Sequence, residues 1–147
     1  MTDIQLTPHF KLSELANTNQ AKYKQQNLDA GMKMMGKMYM LAGFAERVRE
    51  IVGLPMTITS GYRCPALNKA IGGSSTSQHK LCEAIDFKCK GLSNESIACK
   101  IATSDLKFQQ LIIEHSGKAV WTHISIGSKR EVLRYKDGKY TKLGELK

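Results

Sequence analysis

Apolar residues along this chain recur at two periods, and the switches between them mark out the elements. From about residue 27 to residue 52, Leu28, Met32, Met35, Met38, Leu41, Phe44, Ala45, Val48, Ile51 and Val52 return every three or four positions over Asp29, Lys33, Lys37, Glu46, Arg47 and Glu50. That spacing predicts one long amphipathic helix, stopped by Gly53-Leu-Pro55. The methionines at its start, Met32, Met34, Met35, Met38 and Met40, read as adaptable core fillers rather than a soft-metal or peptide-binding surface. Ahead of it, Pro8, Phe10, Leu12 and Leu15 suit a docking segment that runs into one helical turn capped by Ser13.

A period of two takes over at Met56-Thr-Ile-Thr-Ser60, a predicted strand that delivers the chain into Gly61-Tyr-Arg63. Residues 65–71 predict a short helix begun by Pro65 and ended by Gly72-Gly73. Residues 84–89 predict a strand, and Ser93 caps a helix that runs to about Ala102. Residues 108–114 and 119–126 form a hairpin about Ser116-Gly-Lys118, and the tail carries a second hairpin at Asp137-Gly138, a pair suited to a primed turn. The sum is an α+β fold, a small antiparallel sheet with flanking helices. A single domain spans 1–147, with its core at about 10–126 and a hairpin extension over 127–147.

At 147 residues, the chain buries roughly two-thirds of its unfolded surface on folding, so a metal is not needed merely to fold it. No apolar run approaches the roughly 20 residues of a membrane span. Nor do the first eight residues resemble a secretory leader, which places the chain in the cytoplasm until something else releases it. The four cysteines form no Cys-x-x-Cys pair and read as reduced thiols. A net charge of +9 gives a long-range attraction to anionic polymers.

The chemistry concentrates in Ser77-Gln-His-Lys-Leu-Cys-Glu-Ala-Ile-Asp86, where an imidazole and a carboxylate lie seven residues apart across a loop and a strand. Asp86 stands between Ile85 and Phe87, and a buried carboxylate there must be paired, hydrogen-bonded or ligating a metal. His123, between Trp121 and Ile124, raises the same question. His79, Asp86 and His123 supply the three protein ligands that a hydrolytic zinc takes, with a fourth position for water. Arg63, held by a Gly-Tyr turn, offers donors to a substrate carboxylate or a developing oxyanion, and Ser77 a hydroxyl to substrate. Hydrolysis also needs a proton carrier. Glu114 is the first candidate, because a register that pairs it with Trp121 puts it on the face of His123; His115 and Glu83 follow.

Taken in order, Ser-Gly-Tyr-Arg63, Asn68 with Gly72-Gly73, Ser-Gln-His79 with Ala-Ile-Asp86, and Trp-Thr-His123 resemble the M15 family. That family comprises zinc D-Ala-D-Ala carboxypeptidases and phage peptidoglycan L,D-endopeptidases. The likeness runs from about Phe10 to Ile126. It implies the fold shared with the Hedgehog signalling domain, zinc on His79, Asp86 and His123, and Arg63 on substrate or oxyanion. Two positions depart from the family pattern. Cys82 stands where glycine is common, and Val120 and Trp121 stand where many members carry a glutamate or a second histidine.

The leading expectation is therefore a monomeric zinc peptidase that cuts peptidoglycan stem peptides, an endopeptidase or D,D-carboxypeptidase of the phage lysin type. A catalytically silent, zinc-containing wall-binding module is the alternative. Nucleic acid is not an expected partner, because no aromatic residues are interleaved with a basic run as stacking platforms would be.

Overall fold

The structure is a computed structural model and describes residues 3–143. Residues 1–2 and 144–147, the two ends of the expected single domain, lie outside the described residues. The chain divides into two compact units, Met1–Glu46 with Ile58–Ile85, and Arg47–Thr57 with Asp86–Lys147.

In the first unit, β1 (Gln5–Thr7) and β2 (Phe10–Lys11) form a two-stranded antiparallel sheet that runs into α1 (Leu12–Leu15). Ser13 does not cap α1. It lies inside the turn, with its hydroxyl and its N–H both on the Asp3 carboxylate, while the Glu14 carboxylate accepts from the Lys11 N–H at 3.0 Å. The helix expected over 27–52 is two helices, α2 (Lys24–Met32) and α3 (Met35–Val52). The buried positions of α2 are Asn27 and Gly31 rather than Leu28 and Met32. Gly31 lies so close to its neighbours that a Cβ would stand 2.8 Å from Met38 Cε and 3.4 Å from Ala16 Cβ. The core reading of the methionines holds for Met38, which is fully buried, but Met32 and Met40 are 37% and 66% exposed. On α2 the face that carries Asn27 and Gly31 is the one turned inward, and that leaves Met32 of the apolar stripe in solvent. Beyond β3 (Thr57–Ser60), α4 (Pro65–Ala70) begins at its proline as the sequence predicts.

The larger sheet has the strand order β3-β4-β6-β5-β7-β8, with β4 at Ala84–Lys88, β5 at Gln110–Ser116, β6 at Ala119–Ser125, β7 at Glu131–Lys136 and β8 at Lys139–Lys142. In the second unit β5 and β6 form the expected hairpin, and Glu114 pairs with Trp121. β7 and β8 form the tail hairpin, with Asp137 at φ +53 and Gly138 at φ +76, the two left-handed residues of a primed turn. This extension joins the sheet: β7 pairs with β5 in parallel, so the sheet is mixed rather than wholly antiparallel. Arg130 anchors the crossing from β6 to β7. Its guanidinium donates to the carbonyls of Leu106, Ala102 (2.8 Å) and Ser104 (3.1 Å) and lies 4.7 Å over the Phe108 ring. α5 (Asn94–Ala102), capped by Ser93 as predicted, covers one sheet face, and Thr122 Oγ1 bonds its Asn94 at 2.7 Å.

Candidate metal centre

His79 follows a turn whose hydrogen bonds fix its ring. Its Nδ1 is 2.7 Å from the Gly61 carbonyl, an acceptor that requires Nδ1 to carry the proton and Nε2 the lone pair. Gly61 is itself wedged: a Cβ there would stand 2.3 Å from the Leu15 carbonyl oxygen. The Arg63 N–H donates to the His79 carbonyl at 3.1 Å, and its Nη2 donates to Ser77 Oγ at 3.2 Å. Arg63, Ser77 and His79 are thus held as one group. Behind them, Asn27 is fully buried, and its Nδ2 donates to the carbonyls of Ala16 (2.8 Å) and Tyr62 (3.0 Å) while its Oδ1 accepts from the Cys64 N–H at 2.7 Å. It fixes the chain on both sides of Arg63. Nothing in the hydropathy pattern marks it, since its partners are main-chain groups remote in sequence.

In the second unit, Asp86 on β4 and Glu114 on β5 converge on one imidazole. His123 Nδ1 is 2.9 Å from Asp86 Oδ1 and 3.4 Å from Glu114 Oε1. Two carboxylates facing one ring nitrogen concentrate negative potential where a cation, a proton or a metal ion, lowers the energy. Glu114 sits here because β5 and β6 pair in the register that opposes it to Trp121. The same register turns His115 to the other sheet face, where its Nε2 accepts from Arg134 Nη1 at 2.7 Å. Glu83 is a half-exposed partner of Lys37 at 3.6 Å.

His79 in the first unit, and Asp86 and His123 in the second, are all buried, at 3%, 8% and 6% exposure. Two imidazole nitrogens and a carboxylate oxygen are a donor set that suits catalytic zinc, and with the proton on His79 Nδ1 it is Nε2 that would ligate. Cys82 is not part of the group. Its backbone has φ +60, the left-handed region that a glycine enters without strain, and its buried thiol lies 3.7 Å from Met38 Sδ. Burial pushes that thiol up to about 11.

Two histidines and an aspartate are donor types that a hydrolytic zinc takes. The family model described as Peptidase M15 matches residues 8–125. The chain belongs to that family of zinc peptidases. Comparison with curated proteins finds no match. No helix among the described residues is long and apolar enough to cross a membrane.

Proposed function

We propose that this protein is a zinc-dependent peptidase that hydrolyses amide bonds in the peptide stems of bacterial peptidoglycan, as a phage-type lysin does. The observation that carries the reading is that His123 is held between two carboxylates, Asp86 at 2.9 Å and Glu114 at 3.4 Å. His79, Asp86 and His123 would hold the ion. Zinc bound there would acidify a water and polarise the scissile carbonyl. Glu114 takes a proton from the attacking water and returns it to the leaving amine nitrogen. Arg63 donates to the oxygen that gains charge as the carbonyl becomes tetrahedral, and Ser77, bonded to Arg63, orients it toward substrate. The charge of +9 supports an anionic wall as the target. On this reading the protein acts as a monomer, with a peptidoglycan peptide as its partner.

Mass analysis of products released from defined peptidoglycan tests activity and bond together. Cleavage should be lost with a chelator and recovered with zinc. Activity indifferent to both treatments would sink the proposal, and wall binding with no released product would leave a silent wall-binding module in its place.

A further inference from the structure

The sheet face that carries Glu114 and His123 continues past β5. Directly opposed residues share a face, and so do residues two apart along a strand. One row across the strands is therefore His123, Ile112, Leu133 and Lys142, and the next is Trp121, Glu114, Tyr135 and Tyr140. The opposite face is the one whose Thr122 meets α5. Tyr135 and Tyr140 stand with ring centroids 4.7 Å apart and planes tilted by 48°, and Tyr140 is 63% exposed. The Tyr140 phenol is held above its usual range, first by burial of its hydroxyl and then by the neighbouring Glu114 carboxylate. Both tyrosines belong to the β7–β8 hairpin, beyond residue 125 where the family match ends.

We propose that Tyr135 and Tyr140 form a sugar-stacking shelf that holds a pyranose ring of the glycan strand whose stem peptide is being cut. The inference rests on the peptidase reading above. The exposed Tyr140 ring, backed by the half-buried Tyr135, pairs an apolar face with a polar rim, the complement of a pyranose with its C–H face and its hydroxyl edge. Lys142, two residues from Tyr140 on the same face, adds a cation suited to a stem carboxylate. Distance also fits: β8 lies two strands from β5, about 10 Å at the usual strand spacing. An extended peptide covers that distance in about three residues. A sugar on the shelf and an amide beside Glu114 can then belong to one molecule when the bond cut is among the first stem residues. Two rings are too small for a second copy of the chain, which would need about 800 Å² on each partner.

The test uses metal-free protein titrated with peptide-free glycan strands, and the zinc-loaded protein assayed on glycan-linked and free stem peptides. Wild type should bind the glycan. Tyr140→Ala should weaken binding about fivefold to tenfold, while Tyr140→Phe, which keeps the ring, should retain it. The ratio of kcat/KM for linked over free stems should fall by a similar factor in Tyr140→Ala alone. Should that variant fail to fold, protection of Tyr140 from nitration by added glycan, read in wild type, decides the matter. Absence of glycan binding by wild type, an unchanged ratio in folded Tyr140→Ala, or single-stranded DNA outcompeting the glycan would each overturn the shelf. Wild type that binds glycan yet cleaves neither stem would defeat the peptidase reading instead.

Discussion

Replacing Asn27 by Ala removes a side chain that makes three buried hydrogen bonds to main-chain groups, at the Ala16 carbonyl, the Tyr62 carbonyl and the Cys64 N–H. Each buried group left without a partner costs about 1–3 kcal/mol, so three together cost about 3–6 kcal/mol if the cavity admits some water. A domain of this size has about 5–15 kcal/mol in all. Asn27→Ala should therefore forfeit much of the stability, seen as a fall in the urea midpoint. Asn27→Asp is the sharper probe. It keeps an acceptor for Cys64 N–H but turns a carboxylate oxygen toward two carbonyls that need a donor. That repulsion raises the new carboxyl in the folded state above its unfolded value near 3.9. A folded pKa raised in this way means the variant recovers stability relative to wild type as pH falls through it. Urea unfolding of wild type and both variants at pH 5 and pH 7.5 measures the effect. Asn27→Ala within about 1 kcal/mol of wild type, or Asn27→Asp closer to wild type at pH 7.5 than at pH 5, would refute the reasoning.

Glu114→Gln keeps size and removes the proposed base, so turnover should fall by about 10²–10⁴ with zinc content unchanged by metal analysis; near-normal turnover would move the proton transfer elsewhere. Gly61→Ala drives a Cβ against the Leu15 carbonyl, 2.3 Å away. It should cost at least the usual 1–3 kcal/mol or so of overpacking and weaken zinc retention in dialysis, because the Gly61 carbonyl holds His79. Three carboxyls are held below their usual range: Asp3 by the Ser13 hydroxyl, Glu46 by bonds from His9 and Thr7 that outweigh its burial, and Glu131 by the Gln110 amide. Lowered folded values give stability that is present above about pH 4.5 and lost as pH falls through them, so a urea midpoint flat from pH 6 to pH 3 would contradict it. Cys64, Cys82 and Cys89 are buried and Cys99 is half-buried. A thiol-disulfide reagent at pH 8 should find one fast thiol and the other three only in denaturant, and rapid labelling of all four would be the contrary result.

The candidate site was legible where side-chain chemistry conflicts with its surroundings. Asp86 and His123 in apolar strands demand a partner, and both have one in each other at 2.9 Å. Glu114 was legible because a turn about Ser116-Gly-Lys118 allows the register that opposes it to Trp121, and the pairing of Ser116 with Ala119 selects that register. Asn27 was hidden because hydropathy scores a side chain by its own polarity, whereas its burial answers main-chain groups 11 to 37 residues away. The break between α2 and α3 was hidden with it. The parallel pairing of β7 was not readable either, since alternation specifies a strand and its faces but not which edge it joins. The Cys82 departure, seen only as a missing glycine in the sequence, becomes intelligible through its left-handed backbone.

The position of β7 bears on how the protein can be cut down. β5 has β6 on one edge and β7 on the other, with Leu133 opposite Ile112. A version ended at residue 125, where the family match stops, would leave that second edge open along Leu111, Ile112 and Ile113. An unpaired, strongly apolar central strand is a template for the same strand of a neighbouring molecule. The minimal piece defined by family likeness would then gather into aggregates, and solubility, rather than catalysis, would be the first property lost with the tail.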